Sequence, residues 1–149
     1  MYVYRITLEK YSGSLITSGN AARWNSKDVK MLYTASTRAL ACLENVVHRN
    51  AIGLQANFRT MVIEVPDDLQ IIIMRKEELL TDWYLFENYP YTQALGDAWI
   101  SKGETAILGV PSAIIAEECN YLLNPAQIDF KKIKLLSVEP FEFDSRIKK

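Results

Sequence analysis

Residues 21–48, AARWNSKDVKMLYTASTRALACLENVVH, decide how this chain folds. The stretch begins as a loop after Gly19, passes through a short apolar segment that ends near Tyr33, and turns at Ser36 into a helix. Ser36 or Thr37 can accept a hydrogen bond from a free amide of the first turn, and good helix formers follow. The stretch therefore predicts a loop, a strand end and a capped helix in succession.

Glu44 lies at the edge of the apolar stripe of this predicted helix. With 3.6 residues per turn, the stripe comprises Leu40, Leu43 and Val47. A carboxylate in that position is costly to desolvate unless another group pairs with it. The nearest candidate partners in the sequence are Arg23, Arg38 and His48. Two interpretations stay open at this point: a half-exposed ion pair on the flank of the helix, or a functional carboxylate beside a cleft.

Composition restricts the class of protein. The chain has 149 residues, of which 49% are hydrophobic, and its formal net charge is −1, so we expect one folded domain over residues 1–149. No apolar run approaches the length of a membrane span, and the N-terminus lacks the layout of a signal peptide, so we expect a cytoplasmic protein without membrane contact. The sequence pI of about 5.9 argues against direct nucleic-acid binding.

Neither a metal site nor a carried dinucleotide is predicted. Cys42 and Cys119 have no metal-ligand spacing and do not make a disulfide framework, and the single His48 completes no standard zinc pattern with them. The sequence also contains no Gly-x-Gly-x-x-Gly segment of the kind that binds a nicotinamide or flavin carrier.

Outside residues 21–48 the pattern indicates several strands and a second helix. Strands are predicted at 2–6, 58–65, 69–74, 106–110 and 133–138, with the run at 69–74 buried. Residues 88–90 are expected to break the chain. A helix then follows over 92–101, ended by Gly103, with core positions at Ala94, Leu95, Ala98 and Trp99. Nothing in this second helix has a catalytic pattern.

Three polar residues have both a structural and a functional interpretation. Arg23 either ties its loop to Glu44 or to a helix carboxyl end, or grips a phosphate with its planar guanidinium. Arg5, on the first strand, either reaches an anion or faces water. Ser112 follows the strand that Pro111 ends, where open sheets often bind ligands. It either caps a turn or enters a site, and no Gly-x-Ser-x-Gly supports a nucleophile.

Several short segments, taken in order, resemble the RES domain family, which is named for an Arg, a Glu and a Ser. The segments are Tyr4-Arg5-Ile6, Arg23-Trp24-Asn25, Leu32-Tyr33-Thr34-Ala35, the helix with Glu44, Val110-Pro111-Ser112 and Asn124-Pro125. Two places depart from the family pattern. Ala21-Ala22 stand where glycines usually precede the Arg-Trp-Asn, and Gln127 stands near the place of a His.

The resemblance implies an α+β domain with mixed β-sheets and a few helices, similar to the ADP-ribosyltransferase and diphtheria-toxin folds. It implies a toxin of a bacterial toxin–antitoxin pair that cleaves the nicotinamide–ribose bond of NAD. NAD would be a substrate rather than a carrier, with inorganic phosphate as the expected acceptor. The implied partner is an Xre-type helix-turn-helix antitoxin, bound in a hetero-oligomer.

The same resemblance implies roles for individual residues. Glu44 would stabilise the positive charge that develops on the ribose. Arg23 would hold phosphate, Tyr33 would orient the nicotinamide ribose, and Ser112 would hold a hydroxyl or the amide of the base. Further substrate contacts are expected from Arg5, Asn25 and Asn124. Two alternatives stay open: a protein ADP-ribosyltransferase, and a RES fold whose site has decayed into a binding or regulatory module.

Overall fold

The computed structural model describes residues 1–148, which form one seven-stranded sheet and two α-helices. The strands are β1 (Tyr2–Leu8), β2 (Leu32–Ala35), β3 (Phe58–Glu64), β4 (Ile71–Ile73), β5 (Ile107–Pro111), β6 (Cys119–Leu123) and β7 (Lys134–Phe141). The helices are α1 (Arg38–Val46) and α2 (Tyr89–Lys102). The strand order is β4-β5-β6-β2-β1-β3-β7, with β4 and β5 parallel and the other neighbours antiparallel. The predicted α+β class is therefore confirmed. Within residues 1–148 neither helix has the length and apolarity to cross a membrane.

The middle of the sheet is apolar on both faces. β1 pairs with β3 along its whole length, from Tyr2 opposite Glu64 to Leu8 opposite Phe58. Phe58 is fully buried against α1, and Ile63 is fully buried in a second cluster on the sheet. Such near-continuous burial explains why three apolar residues follow one another at 61–63 of β3 instead of alternating with polar ones.

Helix α1 begins as predicted. The Thr37 hydroxyl accepts a hydrogen bond from the amide of Leu40 at 3.1 Å, and Leu40 and Ala41 pack on the sheet. The expected stripe is wrong at its far end because the helix stops at Val46. Val47 is therefore 48% exposed.

Helix α2 begins three residues earlier than predicted. Tyr89 and Pro90 form its first turn rather than a break, since a proline there loses no helical hydrogen bond. Gly103 ends the helix in the left-handed conformation with φ 62°, as expected. Trp99 is buried and Leu95 is partly buried, whereas the core positions expected at Ala94 and Ala98 are exposed.

The run at 69–74 is not a buried strand. Only Ile71–Ile73 pair, and they form an edge strand whose single neighbour is β5. Ile72 and Ile73 are 37% and 49% exposed. A β-branched run indicates a strand but contains no information on whether that strand lies inside a sheet or at its edge.

Candidate active site

A cavity of about 290 Å³ is lined by β1, β2, α1 and the loop between β1 and β2. Four of the predicted site residues line it: Arg5, Arg23, Tyr33 and Glu44. These come from four separate segments, and they meet because β1 and β2 are neighbours in the sheet and α1 packs on both. The structure thus brings the two predicted cations and the predicted carboxylate into one cavity.

The Glu44 carboxylate is held by two neutral donors. Its Oε1 accepts hydrogen bonds from Ser112 Oγ at 2.8 Å and from Asn120 Nδ2 at 2.7 Å. Within residues 1–148 no Lys, Arg or His nitrogen lies within ion-pair distance of Glu44, and Arg38 instead pairs with Glu139 at 3.0 Å. The ion-pair interpretation is therefore wrong. The structure has a carboxylate at a cavity wall, oriented by uncharged groups.

Ser112 is fully buried directly after β5 and does not line the cavity. Besides donating to Glu44, its hydroxyl accepts from the amides of Ile114 at 3.1 Å and Ile115 at 3.3 Å. The serine therefore caps the turn, as its structural interpretation had it, and at the same time fixes Glu44. Ser112 can therefore act on a ligand only indirectly, through that carboxylate and through Ile114, which lines the cavity.

Asn120 was not identified from the sequence. It lies on β6 opposite Val110 of β5 and Ala35 of β2, and it lines the cavity. Its Oδ1 is buried and has no hydrogen-bond partner within residues 1–148. The only local signal is a polar residue within the otherwise apolar run CNYLL, and that signal does not indicate a contact with Glu44.

The two guanidinium groups in the cavity wall have no carboxylate partner in the described part of the chain. Arg23 donates to the carbonyl of Tyr84 at 2.8 Å, and its guanidinium carbon lies 4.9 Å from the ring centroid of Tyr89. Arg5 donates to the carbonyl of Tyr33 at 3.0 Å. Burial lowers the pKa of Arg5 because the charged form loses its water. A cation of this kind is stabilised by an anionic ligand.

Tyr33 joins the arginine-bearing loop to the sheet. Its hydroxyl donates to Asn25 Oδ1 at 2.5 Å and accepts from the amide of Trp24 at 3.0 Å. Burial is the largest cause that raises the pKa of Tyr33 above its usual range, so the phenol stays protonated at neutral pH. The ring borders the cavity while its hydroxyl is occupied by the loop.

The other two predicted contacts, Asn25 and Asn124, do not line the cavity. Each is 1% exposed. The side-chain amide of Asn25 donates to the backbone carbonyls of Asn20 at 3.0 Å and Val29 at 2.9 Å, and these two bonds close the loop. Asn124 Oδ1 accepts from the amide of Ala126 at 3.0 Å in the turn after β6. Both side chains serve the backbone that carries the site.

The two departures from the family pattern lie in different places. Ala22 lines the cavity, and Ala21 does not. The Gln127 side chain accepts from the amide of Asp129 at 2.6 Å and caps a short 3-10 helix away from the cavity lining. Other lining residues absent from the predicted set include Tyr4, Thr34, Asn45, His48 and Tyr89. Residues 1–148 contain no group of three His, Cys, Asp or Glu side chains suited to a metal ion.

Comparison with known proteins identifies the family of this chain. Residues 2–144 match the RES domain. The chain is 40% identical over 138 residues to the Prs ADP-ribosylating toxin of Sphingobium sp. strain YBL2, covering 91% of this chain and 84% of that protein. It is 33% identical over 154 residues to Toxin Res of Yersinia enterocolitica, covering 99% and 100%.

One chain of the crystal structure of the M. tuberculosis MbcT–MbcA toxin–antitoxin complex shares the fold. Its TM-score is 0.78 at 18% identity, and the match covers 95% of this chain and 84% of that one. The resemblance found in the sequence is confirmed by the match over residues 2–144 and by the two toxins: this chain belongs to the RES domain family.

Proposed function

We propose that this protein is a toxin that consumes NAD by cleaving its nicotinamide–ribose bond. One observation carries the proposal. A single cavity contains a carboxylate with a fixed orientation, Glu44, and two guanidinium groups, Arg5 and Arg23, that have no acidic partner within residues 1–148. NAD presents the complementary charges, a pyrophosphate and a ribose that becomes positive as the base departs.

The carboxylate suits the charge that develops during this reaction. As the glycosidic bond breaks, its electron pair leaves with the nicotinamide and the ribose becomes oxocarbenium-like. Both hydrogen bonds to Glu44 fall on Oε1, so Oε2 is left to face the cationic ribose. A charge fixed before the reaction stabilises the transition state without reorganisation.

The guanidinium groups suit the phosphates. Arg23 is stacked on an aromatic ring and uses one donor on a backbone carbonyl, so its remaining N–H groups are available for a pyrophosphate or for inorganic phosphate. Arg5 supplies a second cation in the same wall. Tyr33 lines the same cavity and would orient the nicotinamide ribose through its ring, since its hydroxyl is bound to the loop.

The acceptor distinguishes two forms of this function. Transfer of ADP-ribose to inorganic phosphate is our first proposal. Transfer to a protein is the second, and it is favoured by the name of the Sphingobium relative, an ADP-ribosylating toxin at 40% identity. Relatives named Toxin Res and a fold shared with a protein from a toxin–antitoxin complex support an antitoxin partner, which we propose to be of the Xre helix-turn-helix type in the cytoplasm.

The test follows nicotinamide release by proton NMR from purified protein and NAD, with and without inorganic phosphate. Glu44→Gln keeps the size of the side chain and removes its charge, and we expect kcat to fall by about 10²–10³-fold. Phosphate-dependent release supports phosphorolysis, and labelled ADP-ribose on a protein band supports the transferase. Turnover by Glu44→Gln within a few-fold of wild type would show that the assignment is wrong, and absence of release by the wild type would favour a binding module.

A further inference from the structure

Helix α2 contacts the arginine-bearing loop through several side chains. Thr92 is fully buried, and its shortest hydrogen bond donates to the carbonyl of Arg23 at 2.6 Å. Gln93 Nε2 donates to the carbonyl of Ala22 at 2.9 Å. Asp97 Oδ1 accepts from the amide of Ser26 at 3.0 Å. Three side chains of one helix thus hold three backbone positions of one short loop.

Gly96 allows this close approach. A Cβ at Gly96 would lie 1.7 Å from the carbonyl oxygen of Trp24 and 2.8 Å from its carbonyl carbon. The loop backbone therefore lies directly on the helix surface, where only a residue without a side chain fits. We call the group formed by Thr92, Gln93, Gly96 and Asp97 the α2 clamp.

The sheet also holds the loop, through Tyr33 of β2. Tyr33 binds the amide of Trp24 and the side chain of Asn25. The first residue of α2, Tyr89, also lies under the guanidinium of Arg23, so the helix contacts this arginine at both its backbone and its charged end. Helix α2 therefore holds the backbone of Arg23 and one face of its guanidinium, whose N–H group donates to the carbonyl of Tyr84.

We infer that the α2 clamp positions Arg23 and that Thr92 is its principal positioning residue. The inference rests on the proposed function, because it assigns the clamp to the phosphate-binding cation of that site. It gives a role in the reaction to a helix whose sequence has no catalytic pattern. The argument depends on the directed bond from Thr92 to Arg23, on the bonds that flank it and on the missing side chain at Gly96.

The first experiment replaces Thr92 by valine, which keeps the shape and removes the hydroxyl. Arg23 holds phosphate in both the ground state and the transition state, so a misplaced guanidinium raises KM and leaves kcat nearly unchanged. We expect KM for NAD to rise about tenfold, the equivalent of about one hydrogen bond, with kcat within about twofold of wild type. Thr92→Ser restores the hydroxyl and should restore KM.

The matched control is Thr81→Val, the same substitution at an exposed position, which should leave both constants unchanged. A merely structural role of Thr92 would reduce the folded fraction, lower the apparent kcat and leave KM as in wild type. An unchanged KM in a folded Thr92→Val protein would overturn the inference.

Amide hydrogen exchange at residues 22–25 gives a second measurement that needs no turnover. Thr92→Val should accelerate exchange in this loop relative to Thr81→Val, because one side of the loop has lost its directed bond. If the wild type releases no nicotinamide, the proposed function fails, and amide exchange is then the measurement that tests whether the α2 clamp holds the loop. Unchanged exchange in that case would reject it.

Discussion

At the scale of single residues, Glu44 receives both of its hydrogen bonds on one oxygen. The donors, Ser112 and Asn120, lie on different segments and fix the plane of the carboxylate as well as its position. Two neutral donors leave the negative charge in place for the substrate, whereas an arginine partner would neutralise it. Ser112 and Asn120 take the place next to Glu44 that a cation could have taken, and Arg5 and Arg23 bind backbone carbonyls instead.

Removal of either donor should impair turnover rather than binding. We expect Ser112→Ala and Asn120→Ala each to lower kcat by about 10–100-fold, because a carboxylate with one donor rotates away from the ribose. Since both donors serve the same oxygen, the double variant should lose less than the product of the two single effects. The measurement is steady-state nicotinamide release, with the exposed Ser101→Ala as control. Multiplying effects would mean that the two donors act independently.

Tyr33 should make the fold sensitive to alkali. Its pKa is raised by burial, so above about pH 10 the unfolded chain loses this proton while the folded chain keeps it. The stabilisation is complete below the unfolded pKa and is lost as the pH rises towards the folded one. Over that window the free energy of unfolding should fall by about 1.4 kcal/mol per pH unit from this residue.

The comparison is with Tyr33→Phe, which cannot ionise. Urea unfolding between pH 8 and pH 11 should give a shallower alkaline slope for the variant, even though its stability at pH 8 is lower for want of the hydroxyl's hydrogen bonds. Equal slopes in the two proteins would mean that the Tyr33 phenol ionises alike in the folded and unfolded states.

At the scale of elements, the sequence predicted features that depend on neighbouring residues, and it did not predict contacts between distant segments. The start of α1 followed from Thr37, whose hydroxyl binds an amide three residues away. The partners of Glu44 lie 68 and 76 residues away, so no local pattern indicated them and the sequence offered nearby cations instead. The family pattern, and no local signal, predicted that Arg5, Arg23, Tyr33 and Glu44 belong to one site. Asn120 had no comparable signal.

The contact between α2 and its loop should tolerate no side chain at position 96. Gly96→Ala forces the helix and the carbonyl of Trp24 apart, and we expect the free energy of unfolding to fall by about 1–3 kcal/mol. Urea denaturation measures the loss. The matched control is Gly13→Ala, where a Cβ meets no atom within 4 Å and stability should change by less than about 0.5 kcal/mol. Equal stabilities of the two variants would show that the contact adjusts freely.

At the scale of the whole molecule, the sheet has two exposed edges with apolar side chains. β4 is a short edge on which Ile72 is 37% exposed, and β7 is a long edge on which Leu136 is 55% exposed. Unpaired edge strands of this character favour association between chains. The sequence predicted every strand except β6 (Cys119–Leu123), and it did not predict the edges, since strand order depends on contacts far apart in the chain.

A charge on the short edge should reduce association without affecting the site. We expect Ile72→Lys to slow heat-induced light scattering several-fold while nicotinamide release stays unchanged, because lysine blocks edge pairing. Ile73 is unsuited to this test because it packs over Gly109. Gln70→Lys, an exposed position two residues before Ile72, adds the same charge without removing an apolar side chain. Equal protection by both variants would assign the effect to net charge.

The distance along the chain between Glu44 and its two supports has a consequence for synthesis. A ribosome completes α1 before it has added Ser112 and Asn120, which lie 68 and 76 residues later. At roughly 5–20 residues per second, the nascent chain has Glu44 without either donor for roughly 3–14 s. On the proposed function, the oriented carboxylate therefore forms only after β6 has been synthesised, late in the production of each molecule.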